Sequence, residues 1–352
     1  MRWHVPALAR AQALVRRAVE ERRIPGAVVA LGQGAEEVWR FAAGWADATP
    51  GRERPMREDT VFDLASLTKV VVTLPLVLGL VEEGLLALDD PVQAYLPEFA
   101  GPDKGRVRIR HLLAHTGGLA WHREFYRTRS GPDVLAAAMA EPLVAPPGET
   151  TVYSDLGFML LGEVVRRVRG QDLDAVACRL VFEPLGMGTA AYRPPPAWRE
   201  RIAATEAAAG GGGAKTGVVH DDNAEAMGGV SGHAGLFASA ADLGRYAAAW
   251  LGAAGEGWLS PAVRALALRP ATPPPARRGL GWVLRGDEMD FMGDLWPAAA
   301  FGHTGFTGTS LAVDPGEGMW AVVLTNRVHF GRAVDVGPFR ARLHNALAGA
   351  WR

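Results

Sequence analysis

Residues 7–22 carry Leu8, Leu14, Val15 and Val19 among arginines and glutamates, the spacing of an amphipathic helix. Two strand-like runs follow, IPGAVVALG (24–32) and EEVWRFAAGWA (36–46), separated by Gln33-Gly34-Ala35 in the pattern of a hairpin. After a polar loop to Asp59, VFDLA (61–65) precedes a long apolar helix predicted from Ser66 to about Glu83. Between 89 and 227, helical segments alternate with breaks at APPG (145–148), PPP (194–196) and GGGG (210–213), without a convincing strand. Another helix is predicted from Ala241-Asp242 to about Leu251. A proline-rich connection (270–275) then leads to the strands GLGWVLRG (279–286), TSLAVDP (309–315) and MWAVVLTN (319–326), and to a terminal helix over about 337–350. Strands at both ends of a helical middle predict an α+β (α/β) class: an antiparallel sheet closed by both termini, flanked by helices, with an inserted all-α domain. The corresponding boundaries are 1–88 and 228–352 for the sheet domain and 89–227 for the helical one.

Composition narrows the function. The 352 residues are 49% hydrophobic and 21% charged, an ordinary globular balance. Basic and acidic residues number 37 and 38, so there is no basic field to hold nucleic acid or an anionic membrane. The longest apolar stretch, Val70 to Val81, holds a proline and falls short of the roughly 20 residues a bilayer requires. The first residues, MRWHVPALARAQALVRRAVEERR, are charged throughout and do not read as a secretory signal. Cys178 is the single cysteine, which excludes a disulfide framework and a cysteine zinc site and points to a reducing cytoplasm. Within a predicted helix, it reads as a small core residue.

Lysine occurs only at Lys69, Lys104 and Lys215, against 34 arginines. A lysine in a chemically suggestive place is therefore informative, and one stands in Ser66-Leu67-Thr68-Lys69. Three apart on a helix, Ser66 and Lys69 share a face and can share a proton. The helix N-terminus also favours a developing oxyanion. Lysine acts as a base only when neutral, which costs ~4 kcal/mol if its pKa must fall from about 10.4 to near 7. Arginine cannot do this. In isolation the same four residues would fit a capping serine with a solvated lysine, but Val70–Val72 follow directly and turn Lys69 inward.

Tyr153-Ser154-Asp155 follows the Pro-Gly turn of PPGETTV and precedes an amphipathic helix, so Tyr153 sits at a loop-to-helix corner with Asp155 as a plausible N-cap. A tyrosine there can relay a proton between serine and leaving group. Gly302-His303-Thr304-Gly305-Phe306-Thr307-Gly308-Thr309 enters a strand, and its glycines allow a substrate backbone to approach. A backbone N–H just after Gly305 can supply an oxyanion donor.

SLTK, YSD and HTG, in this order and spacing, resemble the serine hydrolases of the penicillin-recognising group, in the branch of class C β-lactamases, DD-carboxypeptidases and β-lactamase-like esterases. The likeness extends to LDDPVQAYLPEF (88–99), HLLAHTGGL (111–119) and VHDDNAEAMGGVSGHAGLFASAADL (219–243). It implies Ser66 as the acylated nucleophile and Lys69 and Tyr153 as the acid/base pair. It further implies His303, Thr304 and Gly305 on the strand lining the cleft, and an oxyanion hole of the Ser66 and Phe306 N–H groups. Thr304, Gly305 and Asp155 would contact a small-molecule ester, peptide or β-lactam substrate, and no metal or organic cofactor is expected. Two positions depart from the pattern. Asp155 stands where asparagine is usual; facing Lys69 it would hold the ammonium and move proton removal to Tyr153, unless it turned away as a cap. His303 replaces a lysine and, mostly neutral at pH 7, anchors a substrate carboxylate less firmly, which ranks ester or D-amino-acid peptide substrates above β-lactams.

Rival readings are weaker. Lys215-Thr216-Gly217 spells the replaced lysine motif but lacks a following strand, and Ala214 stands where a phosphate-binding loop needs glycine. His111 and His115 have metal-ligand spacing without the intervening glutamate of a zinc hydrolase, and read as structural. His233, in GGVSGHAG, reads as a turn residue near the cleft. A binding module that acylates slowly, acting as a penicillin or peptide sensor, is the alternative to an enzyme; retention of Ser66, Lys69 and Tyr153 together favours turnover.

Overall fold

A computed structural model describes residues 3–206 and 213–351, so the break predicted at 210–213 lies outside the described residues except for Gly213. The chain opens with α1 (Val5–Glu20), the hairpin β1 (Gly26–Gln33) and β2 (Glu36–Asp47), and short strands β3 (Arg54–Pro55) and β4 (Val61–Asp63). A helix starting at Leu67 passes through a π turn, Lys69–Thr73, into α2 (Leu74–Glu82). Next come α3 (Ile109–Leu113), α4 (Pro132–Ala140), α5 (Asp155–Arg169), α6 (Leu173–Ala177), β5 (Ala191–Tyr192) and α7 (Asp222–Ala226). The last part holds β6 (Leu236–Ser239), α8 (Ala240–Trp250), α9 (Pro261–Ala267), β7 (Val283–Leu284), β8 (Phe301–Gly305), β9 (Thr309–Asp314), β10 (Met319–Thr325) and α10 (Gly337–Ala348).

Seven strands form one antiparallel sheet in the order β3-β2-β1-β10-β9-β8-β7. The two ends of the chain meet at its centre, where β1 pairs with β10 from Ala27↔Thr325 to Gln33↔Met319. Side chains alternate across these strands. Ala27, Val29, Leu31, Ala321 and Val323 pack with α1 and α10, whereas Val28, Ala30, Trp320, Val322 and Leu324 join the main core with α2, α5 and α8. Covered on both faces, β1 and β10 are apolar at nearly every position. Among the described residues, no helix is long and apolar enough to cross a membrane.

Three local expectations need correction. The stretch read as strandless contains β5, which extends a second sheet, β4-β6-β5, through Ala191↔Phe237 and Tyr192↔Leu236. Two residues are too few to show alternation. The strand predicted over 279–286 shrinks to β7, because Gly281 (φ +75°) and Gly286 (φ +86°) turn the chain on either side of it. Cys178 is exposed and its thiol donates to Glu183 Oε1 at 3.4 Å. A π turn over Cys178–Phe182 shifts the helical phase, so that Val181 and Phe182 face the core instead.

The π turn after Ser66 has a comparable cause. Pro75 has no N–H and crowds the carbonyl one turn back; widening the helix, with the Leu74 N–H bonded to Lys69 O, relieves this.

Candidate active site

Ser66 follows a strained turn at the end of β4. Ala65 lies in the left-handed region at φ +46°, and Asp63 Oδ1 accepts its N–H at 2.8 Å. One turn on, the fully buried Lys69 Nζ makes three hydrogen bonds. It donates to Ser66 Oγ at 2.9 Å, to Asp155 Oδ1 at 2.7 Å and to the His233 carbonyl at 3.2 Å. These acceptors use all three protons of an ammonium.

The start of α5 brings up the second group. Its N-cap is Ser154, whose Oγ accepts the Gly157 N–H at 3.2 Å and donates to Ala120 O at 2.7 Å. Asp155 is therefore not the cap: as the first helical residue it turns to Lys69, with Oδ2 3.3 Å from His122 Nδ1. Tyr153 lies just before, its ring centroid 4.9 Å from Lys69 Nζ. His115 backs this corner, with Nδ1 accepting the Ser154 N–H at 3.0 Å and its ring 4.5 Å from that of Tyr153.

Charge in the cluster is settled by proximity. Burial alone would lower the Lys69 pKa, but the Asp155 carboxylate and the Tyr153 phenol outweigh it and hold the amine above its ordinary value. Burial would raise the Asp155 pKa; Lys69, then His122 and His233, reverse this and keep the carboxyl far below its usual range. Both directions favour the ammonium–carboxylate form of the Lys69–Asp155 pair.

The third group comes from β8. Gly305 has no room for a side chain, since a Cβ there would lie 2.2 Å from Thr309 Oγ1 and 2.3 Å from Leu64 O. Glycine lets the strand close on the turn that carries Ser66. His303 is buried, 6.0 Å from Tyr153 between ring centroids, and its Nδ1–H donates to Thr304 O at 2.8 Å. A carbonyl only accepts, so Nε2 is left with a lone pair, and it has no partner among the described residues. Burial, then Arg278 and Lys69, push the His303 pKa down to about 3. Thr304 is half-buried beside it, and Phe306, 49% exposed, stacks on His220 at 5.8 Å on the turn that follows.

Ser66, Lys69, Tyr153, Asp155, His303, Gly305 and the His233 carbonyl thus converge from four separate parts of the chain. His233 itself is locked, with Nδ1 2.8 Å from Ser231 Oγ and Nε2 2.9 Å from Asp221 Oδ1. The rival motifs lie elsewhere. Lys215 Nζ pairs with Glu225 Oε2 at 2.5 Å. His111 Nδ1 accepts the Arg108 N–H at 3.2 Å, so it does not join His115.

Arg278 is the residue missed from sequence. It is buried, with Cζ 5.4 Å from the Tyr153 ring centroid and Nη2 3.7 Å from Asp287 Oδ1. Its Nη1 has no partner among the described residues. One arginine of 34, beside a proline-rich connection, gives no signal to single it out.

Asp155, Asp221 and His233 place ligand atoms within 4.8 Å of one another. They do not suit a divalent cation, because Lys69 already occupies Asp155 and His233 Nε2 faces Asp221. A metal there would abut an ammonium.

The chain matches the family model described as Beta-lactamase over residues 11–346. It belongs to that family, within the penicillin-recognising serine hydrolases, and is a hydrolase. It is 32% identical over 336 residues to a protein of Escherichia coli (strain K12) named "Putative D-alanyl-D-alanine carboxypeptidase", covering 83% of this chain and 76% of that protein. Among solved structures it resembles "EstCE1, a hydrolase with promiscuous acyltransferase activity", at 25% identity and TM-score 0.76, covering 97% of this chain and 98% of that one. A class C β-lactamase at 19% identity, with TM-score 0.77 and 98% of both chains covered, shares the fold.

Proposed function

We propose that this hydrolase cleaves amide or ester bonds adjacent to a free carboxylate, D-amino-acid peptides foremost, through an acyl-Ser66 intermediate. The observation that carries the reading is the 2.9 Å contact of a fully buried Lys69 Nζ with Ser66 Oγ. An ammonium has no lone pair, so in this reading the proton of Ser66 goes to Tyr153, acting as its phenolate in this step; its ring centroid lies 4.9 Å from Lys69 Nζ and 5.4 Å from Arg278 Cζ. Ser66 Oγ bonds to the substrate carbonyl carbon, the carbonyl oxygen becomes an oxyanion facing the Ser66 and Phe306 N–H groups, and Tyr153 returns the proton to the leaving group. Water then repeats the sequence on the acyl-enzyme. A cytoplasmic setting would supply peptide fragments rather than intact cell wall.

Arg278 supports the choice of substrate. His303 cannot anchor a carboxylate while neutral, whereas the unpartnered Nη1 of Arg278 can donate a charge-assisted hydrogen bond. A peptide ending in D-Ala-D-Ala should be hydrolysed in preference to its C-terminal amide. Arg278→Ala should raise KM for the acid by about 10–100-fold, the scale of a hydrogen bond to a charged group, and leave the amide unchanged. Equal rates on acid and amide in the unaltered enzyme would refute the carboxylate preference.

The role of Lys69 has its own test in pH. Its pKa is raised, so the ammonium is present below the ordinary value of about 10.4 and is lost only as pH rises through the raised one. Activity should hold to that limit. In Asp155→Asn the largest contribution opposing burial is lost and the alkaline fall moves to lower pH. Activity that instead climbs as Lys69 loses its proton would make the amine the base.

A further inference from the structure

Asp63 is the last residue of β4, and the mechanism above gives it no part. Its carboxylate is buried and receives two backbone N–H groups, that of Ala65 on Oδ1 at 2.8 Å and that of His220 on Oδ2 at 2.6 Å. Its main-chain oxygen accepts the Thr307 hydroxyl at 2.7 Å. Each contact leads to one side of the oxyanion hole. Ala65 directly precedes Ser66 and is held at φ +46°, a conformation that a residue with a Cβ does not keep unaided. Thr307 directly follows Phe306, and the His220 ring carries the Phe306 ring on its face at 5.8 Å.

We propose that Asp63 is a positioning residue that fixes the two oxyanion donors, the N–H groups of Ser66 and Phe306, relative to each other. This rests on the reading of those N–H groups given above. Both carboxylate oxygens face donors, so an acceptor-only side chain of this length is required. Asparagine presents an NH2 to one of the two N–H groups, leaves that donor unpaired and pushes its segment away.

A hole set by Asp63 acts on the transition state and not on the bound substrate. The test measures kcat and KM on a chromogenic ester, the Ki of a boronic acid that forms a tetrahedral adduct, and thermal melting, in Asp63→Asn, Thr307→Val and Thr307→Ser. Asp63→Asn should lower kcat about 10–100-fold with KM nearly constant, and weaken the boronic acid by a similar factor. Thr307→Val should do the same to a smaller extent, and Thr307→Ser, which keeps the hydroxyl, should restore the unaltered values. If Asp63→Asn does not fold, the Thr307 pair decides alone. Unchanged kcat and Ki in folded variants, or a loss confined to KM, would overturn the proposal. Failure of the unaltered enzyme to form a boronate adduct on Ser66 would instead overturn the functional reading beneath it.

Discussion

Ser66→Ala should lower kcat/KM on a chromogenic short-chain ester by about 10⁴–10⁶-fold, the range seen when a catalytic serine is removed and only binding and oxyanion stabilisation remain. The loss cannot be ascribed to unfolding. Ser66 Oγ is an acceptor for Lys69, but without it the ammonium keeps Asp155 Oδ1 at 2.7 Å and the His233 carbonyl at 3.2 Å. The buried charge stays compensated, and the backbone of the turn is held by Asp63 rather than by the serine side chain. The variant should therefore melt close to the unaltered protein while being inert. Retained turnover would move the nucleophile elsewhere.

Tyr153→Phe should be the next most damaging change, lowering kcat about 10²–10⁴-fold with little effect on KM, as expected when a general acid–base group is lost. The aromatic ring remains, so its packing at 4.5 Å from His115 and 6.0 Å from His303 is preserved. Only the hydroxyl proposed to take and return the proton is gone. Asp155 makes this prediction sharp: by favouring Lys69 as an ammonium, it takes the amine bonded to Ser66 Oγ out of the proposed role of base. A loss below about 10-fold would return that role to Lys69.

The sheet and the three motifs could be read from sequence because each is local. β1 and β10 are continuous apolar runs, buried on both faces, and such runs are visible without any partner. Ser66 and Lys69 share one turn, and the scarcity of lysine marks the second of them. What escaped depends on distant contacts. Ser154 and Asp155 are both good helix caps; the choice falls to Ser154 because Lys69, 86 residues away in the chain, captures Asp155. Arg278 acquires meaning only from its place 5.4 Å from the Tyr153 ring. Cys178 was misread because a π turn shifts the helical phase, which a fixed period of 3.6 does not anticipate. β5 exists only as a partner for β6.

The most direct test is intact-mass spectrometry after brief exposure to a fluorophosphonate, followed by peptide mapping. A buried amine, a phenol and a hydroxyl gathered at one site should give a single adduct, on the peptide containing Ser66, and none in Ser66→Ala. An adduct on any other residue, or labelling that survives the substitution, would contradict the account.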